Sequence, residues 1–378
     1  MSDLIPPFGA EGFNVEGDVI TVTADGRDLN GLWRDYQASL QLFNEARQKL
    51  VNLLTFDVST VIEDVPVVGV EDFEEASEFG VPRAARPVMT YFSMAYDFRW
   101  YDRATRFTWK FLAEASADQV DAVHAVVLEA DNKNVFKKVM NAIFRNTTKT
   151  ATITGNNYNV YPLYSNDGTV PPPYKSNTFD GTHNHYLASG AAAVDSGDVE
   201  AMIDHLEHHG YGVAQGTKLV LLVNKTQGDA IRSWRANVTN ANSAVAKYDF
   251  IPAQGEPATL MANNLVIVGG GQPAALYEGL RVIGSYGNVT IVQEDYIPAG
   301  YMVMIGTGGE GSLANPVGFR QHANANLRGL RLIPGDRNAY PLVNSYYSRG
   351  FGTGIRQRGG AVVMKVTAGS YTIPTEYA

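Results

Sequence analysis

An α+β fold built from more than one packed unit is what this sequence predicts, and three observations predict it. Apolar residues recur at helical spacing in well-separated blocks, runs of β-branched residues punctuated by Gly and Pro lie between them, and no repeat of about 20 to 50 residues links the blocks. At 378 residues the chain exceeds the roughly 100 to 200 residues of a single domain. With 45% hydrophobic residues it has material for an interior, and its 18% charged residues fall below the usual value of about 25%. Much of the polar surface must therefore be Asn, Thr, Ser, Gly and Tyr, a composition common where protein meets protein.

Charge is placed unevenly. The first eighty residues hold sixteen Asp and Glu against four Lys and Arg, a net of −12, whereas the remainder carries a net of +3. The acids gather at Glu63, Asp64, Glu71, Asp72, Glu74, Glu75 and Glu78, and the sign then flips at Arg83, Arg86, Arg99, Arg103, Arg106 and Lys110. Such a sequence of signs suits a subunit whose acidic arm must find a neighbour's basic surface. A whole-chain charge of −9 argues against nucleic-acid binding as the main task, because affinity for phosphate backbones comes from clustered Lys and Arg. The absence of cysteine excludes disulfides, thiolate nucleophiles and Cys-containing zinc sites. Met1 to Phe8 has no basic region leading into an apolar core, and no apolar run reaches the roughly 18 residues of a membrane span, so neither secretion nor insertion is expected. The Asn-x-Thr triplets at Asn146, Asn224, Asn237 and Asn288 then read as ordinary turn and strand composition.

The elements follow in order. An extended arm through Pro6, Pro7, Gly9, Gly12 and Gly17 leads into an amphipathic helix over 29–54, with Leu32, Trp33, Tyr36, Leu40, Phe43, Leu50 and Leu53 on its apolar face. From Asp57 to Tyr91, Val58, Val61, Ile62, Val65, Val67, Val68 and Val70 signal a long two-stranded excursion around the acidic run. A hairpin of that length buries little of itself and is expected to lie on another chain. In Tyr91 to Lys110, period-two alternation predicts aromatics packed inward and arginines outward, a mixture that also suits a subunit interface. Ser116-x-x-Gln119 has capping-box spacing and opens the strongest helix, about 30 residues and some 45 Å long, with polar Asp131 to Asn134 as a potential kink or split. Residues 147–190 read as strands and loops, Ser196 to His209 as a helix stopped by Gly210, Leu219 to Val223 as a buried strand and Thr226 to Trp234 as a further helix. Strands are expected at Leu265 to Val268, Val289 to Val292, Met302 to Ile305, Ala361 to Thr367 and Ser370 to Ile373.

No catalytic constellation emerges. Gly306, Gly308 and Gly311 form a Gly-x-Gly-x-x-Gly after a strand, yet Ser312 to Arg320 with Pro316 and Gly318 opens no helix, and no acid stands some 20 positions on, so a loop is the preferred reading over a dinucleotide site. Gly269-Gly270-Gly271 reads likewise. His205, His208 and His209, beside Asp204 and Glu207, sit in the last turn of one helix, with His183 and His185 upstream. Metal sites use such spacing, but histidines at a helix C-terminus also favour the dipole, and that reading is preferred. No Gly-x-Ser-x-Gly, Ser-x-x-Lys or phosphate-binding loop occurs, and no catalytic, cofactor-binding or metal residue is assigned.

The order of arm and helix, acidic β excursion, capped long helix, α/β middle unit and closing strands resembles the major capsid proteins of tailed bacteriophages, the Hong Kong ninety-seven-like fold. Ile283 to Val289 followed by Asp295-Tyr296-Ile297-Pro298-Ala299-Gly300-Tyr301 is similar to the strand, Pro-Gly turn and strand found late in such chains. The resemblance implies an N-arm and helix over 1–56, an extended E-loop over 57–115, a peripheral domain with its spine helix over 116–160 and 346–378, and an axial domain over 161–345. It implies self-assembly as hexamers and pentamers into an icosahedral virion head that encloses double-stranded DNA without sequence-specific binding, built in the host cytoplasm. Portal and scaffolding proteins are the implied partners, with a decoration protein as an optional further one, and no cofactor. Inter-subunit contact is expected at Glu71, Asp72, Glu74, Glu75, Arg83, Arg86, Arg99 and Trp100. Covalently cross-linked members use a loop lysine, but no lysine lies between Lys49 and Lys110, so ionic docking is expected instead. Some members lose an N-terminal segment by proteolysis; with Met1 present, no such cleavage is expected. Two rival readings are an encapsulin-type nanocompartment shell and a nucleotide-binding oxidoreductase using the Gly306 loop.

Overall fold

The computed structural model describes residues 20–45, 48–68, 75, 78, 80, 89–153, 155–212, 216–257, 271–334 and 345–378. In chain order its main elements begin with α1 (Leu29–Glu45), α2 (Lys49–Leu54), β1 (Thr55–Val58), β2 (Ile62–Val68), β3 (Met89–Ala95) and β4 (Asp97–Ala104). Then come α3 (Trp109–Glu114), α4 (Ala117–Phe144), β5 (Lys149–Ile153), β6 (Asn156–Val160), β7 (Tyr186–Ala188), α5 (Ser196–Glu207), β8 (Lys218–Val223) and α6 (Lys225–Ile231). Strands β9 (Phe250–Pro252), β10 (Leu276–Tyr277), β11 (Leu280–Tyr286), β12 (Val289–Gln293), β13 (Tyr301–Thr307), β14 (Val317–Gln321), β15 (Arg331–Ile333), β16 (Tyr346–Ile355) and β17 (Ala361–Lys365) complete the chain. The mixture is α+β, as expected. Two compact units emerge: Met1–Gln48 with Phe98–Lys138 and Arg320–Gly352, and Lys49–Asp97 with Val139–Phe319 and Thr353–Ala378.

In the first unit, α1 buries Leu29, Leu32 and Tyr36 with Phe107, Leu112, Ala115, Ala117 and Val120. Leu40, Val127, Leu330 and Tyr347 form a second apolar cluster. One set of polar groups inside is linked: the Tyr36 hydroxyl donates to Asp121 at 2.7 Å, its ring stacks on His124 at 4.1 Å, and His124 Nδ1 lies 2.6 Å from the Tyr347 hydroxyl. The helix α4 is continuous over 28 residues, about 42 Å. Its start is held twice. The Ser116 N–H donates to Gln119 Oε1 at 3.0 Å, the reach-back half of the capping box, and the Ala117 N–H donates to the Asp25 carboxylate at 3.1 Å. The polar stretch at Asp131 does not break the helix, because Asp131 is buried and pairs with Arg349 at 3.2 Å.

The second unit is organised on a sheet of order β10-β11-β12-β8-β13-β17-β7, with β9 on β11. Strand pairs β12–β8 and β17–β7 are parallel and the others antiparallel. All seven residues of β13 are buried and five of the six in β8, which explains their nearly unbroken apolar sequence. Helix α5 is capped by Asp195, whose side chain accepts from the Asp198 N–H while Asp198 accepts from the Asp195 N–H, and it buries Val199, Met202, Ile203 and Leu206 in this core. Gly210, at φ 88°, ends the turn that follows.

Some expectations change. The helix foreseen over 29–54 is two helices, with residues 46–47 outside the described set. That foreseen over Thr226 to Trp234 is confined to α6, and Trp234 packs into the core beyond its end. Ser370 to Ile373 is not a strand. It is held by hydroxyl-to-carbonyl bonds instead: the Tyr301 hydroxyl donates to the Thr372 carbonyl at 2.8 Å, and the Tyr371 hydroxyl to the Phe144 carbonyl at 2.6 Å. The arm through residue 19 and the strand foreseen at Leu265 to Val268 lie outside the described residues.

Candidate assembly site

The acidic excursion is an antiparallel hairpin forming a sheet of its own. Its register runs from Ile62 opposite Ala95 to Val68 opposite Met89. Such a ribbon needs an anchor, and three groups of the second unit provide it. Tyr96, fully buried just past β3, donates its hydroxyl to Glu63 Oε2 at 2.7 Å, and Arg356 Nε donates to Glu63 Oε1 at 2.7 Å. Burial and the Glu63 charge push the Tyr96 hydroxyl well above its ordinary pKa, so it stays a donor. The Tyr96 ring fits because positions 318 and 354 are glycine: a Cβ would stand 2.3 Å from the ring at Gly318 and 2.8 Å at Gly354. Alongside, Phe92 of β3 packs on Tyr161 at 4.2 Å, and the Arg358 guanidinium lies over Phe92, Tyr161 and Tyr164 at 5.5, 5.1 and 4.6 Å while pairing with Asp167.

Of the residues expected at subunit contacts, Glu71, Asp72, Glu74, Arg83 and Arg86 lie outside the described residues. Glu75 is exposed. Arg99 and Trp100 stand on β4 in the first unit, Arg99 exposed and Trp100 with 48% of its surface open. The alternation foreseen for this strand holds only partly, because Tyr101 shares the Arg99 and Arg103 face and Trp100 stays half outside. Trp100 instead joins a surface cluster: it meets Phe98 edge-on at 5.6 Å and His322 at 6.1 Å, and Arg320 covers Phe98 at 4.8 Å. Gly350 makes room, since a Cβ there would lie 2.7 Å from Phe98 and 2.8 Å from Trp100. Two acids of the run serve the subunit itself: Glu63 holds the hairpin root, and Asp64 accepts from Ser93 across the ribbon.

The Gly306 loop is occupied by packing. A Cβ at Gly306 would strike Tyr211 at 2.7 Å and one at Gly308 would strike Ser312 at 2.3 Å, while Gly309 and Gly311 have φ of 100° and 65°. The next element after it is β14, not a helix.

The histidines converge. His183 and His185, ahead of β7, meet His208 and His209, behind α5; their ligand atoms all lie within 4.8 Å of one another. Burial, with help from neighbouring imidazoles, lowers His183 and His208 to about 4 and His209 to about 3, and holds His185 well below its usual value. Spacing in sequence brought His205, His208 and His209 together; nothing in it showed that the stretch before β7 turns back onto them. No helix among the described residues is long and apolar enough to cross a membrane.

A ribbon fixed at its root, a long capped helix and a buried mixed sheet are the frame that the described residues build. A solved structure from Mycobacterium phage Patience is similar to this chain, at 49% identity over 98% of this chain and 97% of that one, with a TM-score of 0.77. More distant matches are a capsid of a native GTA particle computed with C5 symmetry (14% identity, 85% of this chain and 91% of that one, TM-score 0.45) and the asymmetric unit of the bacteriophage PhiM1 mature capsid (10%, 85%, 88%, 0.47). No family model matches the chain, and no curated protein matches it. The chain belongs to the family of tailed-bacteriophage major capsid proteins, with the Hong Kong ninety-seven-like fold.

Proposed function

We propose that copies of this chain form hexamers and pentamers that close into the icosahedral head of a tailed phage, in the host cytoplasm, around double-stranded DNA. The observation that carries this reading is the 49% identity, over nearly the whole of both chains, to the Mycobacterium phage Patience structure. The division of labour proposed is arm and helix over 1–56, E-loop over 57–115, peripheral domain over 116–160 and 346–378, and axial domain over 161–345. Glu71, Asp72, Glu74 and Glu75 form the acidic side of the contact between subunits, and Arg83, Arg86, Arg99 and Trp100 the basic and aromatic side. Rim ion pairs are individually worth only about 0 to 1 kcal/mol, but repetition around each ring fixes geometry without trapping misassembled forms. The role is structural, not catalytic, with portal and scaffolding proteins as further partners and a decoration protein as an optional one. Net negative charge suits a container that does not grip its cargo.

Negative-stain electron microscopy of the full chain expressed alone, with light scattering of the same sample, tests this. Closed shells or hexamer sheets are expected; a monodisperse monomer or dimer at high concentration, unchanged by an added scaffolding protein, would refute it. Shells that enclose a host enzyme instead of DNA in infected cells would favour the encapsulin reading.

A further inference from the structure

Five of the seven histidines of this chain, His183, His185, His205, His208 and His209, gather in one place in the second unit. Their geometry is that of a coordination sphere. The Nε2 atoms of His183, His185 and His209 form a triangle with sides of 3.0, 2.9 and 3.0 Å. Each imidazole nitrogen offers one in-plane position, either a proton or a lone pair. The Nδ1–H of His185 donates to the Ala361 carbonyl at 2.7 Å, which leaves its Nε2 as a bare lone pair when the ring is neutral. Three nitrogens converging on one point cannot all be satisfied by one another, since a single N–H···N bond uses two of them and leaves the third facing its neighbours. A cation among them satisfies all three. Tetrahedral zinc at 2.0 to 2.1 Å from each nitrogen sets donors about 3.3 Å apart, a few tenths of an ångström from the sides observed.

A second, independent observation points the same way. His208 Nε2 is buried without a hydrogen-bond partner among the described residues, and His208 lies in the same ligand group. Around the group stand Phe179, stacked on His209 at 4.4 Å, and Tyr164, stacked on it at 5.8 Å. His205, whose Nδ1 is 3.0 Å from the Ala201 carbonyl, stacks on His183 from outside. The Ala361 carbonyl, partner of His185 Nδ1, is the kind of outer contact that fixes ring tautomer and orientation around a metal. An all-imidazole donor set disfavours calcium and magnesium, which require oxygen, and suits a borderline late transition ion.

We propose that His183, His185 and His209, with His208 as fourth ligand, form a structural site for a divalent transition metal of the zinc class, which clips the strand segment before β7 to the turn after α5. The clip closes a loop within one subunit, so metal acts on the stability of the second unit rather than on contact between subunits.

The test uses the full chain, stripped with chelator and then titrated with zinc chloride by calorimetry. One equivalent of zinc per chain is expected. His183→Ala and His209→Ala should each weaken binding by at least the roughly 10- to 100-fold that loss of an outer contact alone costs, while His322→Ala, outside the cluster, should bind as the parent does. Failure of the parent to take up zinc, or equal uptake by parent, H183A and H209A, would overturn the proposal. Cobalt chloride with the unmodified chain keeps the test decisive if the variants misfold. The intense visible bands of four-coordinate cobalt support the site, and only the weak bands of hydrated six-coordinate cobalt contradict it.

Discussion

Replacing Glu63 by alanine should loosen the hairpin of β2 and β3 while leaving the rest of the second unit folded. The carboxylate has two partners, and both are lost. The buried Tyr96 hydroxyl loses a hydrogen bond to a charged acceptor, a class worth about 1.5 to 3 kcal/mol, and is left unsatisfied. The Arg356 pair has side chains 30% and 26% exposed, so solvent screening limits its share to about 1 kcal/mol. Together the root loses about 2 to 4 kcal/mol, and the lower figure alone raises the open population roughly 30-fold, at 1.36 kcal/mol per factor of ten. Hydrogen exchange read by mass spectrometry measures this directly. Amides of 62–68 and 89–95 should exchange at least about 30-fold faster, while those of β8 and β13 keep their protection. Tyr96→Phe, which keeps the ion pair, should give a smaller effect. Unchanged exchange in the hairpin, or an equal rise in β8 and β13, would show that Glu63 is not the anchor described.

Other outcomes follow from the same geometry. Gly318→Ala places a Cβ 2.3 Å from the fully buried Tyr96 ring and should lower stability by about 1 to 3 kcal/mol, visible as a reduced Tm in thermal unfolding of the unassembled subunit. Burial raises Asp198 to about 6, opposed by the Asp195 N–H it accepts and assisted by the Asp195 charge. Its folded-state value thus lies above the ordinary 3.8, the native state holds a proton that the unfolded chain releases, and stability from this group declines as pH rises from about 4 to 6. Asp198→Asn removes that slope, so its stability relative to the parent should improve by about 1 to 3 kcal/mol between pH 4 and pH 7; parallel denaturation curves at the two pH values would contradict this. Neutralising Glu71, Asp72, Glu74 and Glu75 together as Gln and Asn should impair shell formation while circular dichroism stays that of the parent, and normal shells from that variant would sink the electrostatic docking idea.

The long helix and the central strands were legible because their signals are local. Ser116 and Gln119 mark the start of α4 by spacing alone, and the apolar runs of β8 and β13 state their own burial. Asp25, which completes the cap of α4, stands 92 residues away in sequence, and no local pattern couples the two. Strand β16 was hidden for the opposite reason. Gly350, Gly352 and Gly354 deprive the stretch of a strand signal, yet Gly350 and Gly354 are where aromatic rings need the space of a missing side chain. The acidic run was read as a single feature, whereas Glu63 and Asp64 belong to the ribbon's own construction. The histidine group shows the same limit: the motif after α5 was visible, and its partners before β7 were assembled only by the fold.

In the assembly proposed, the ribbon of one subunit is seated on another. Cryo-electron microscopy of particles formed by the full chain tests it most directly. Closed shells are expected in which residues 69–80 of each hairpin lie against the basic and aromatic surface of a neighbouring subunit. Shells in which that segment folds back onto its own subunit, or no shells under any assembly condition, would contradict it.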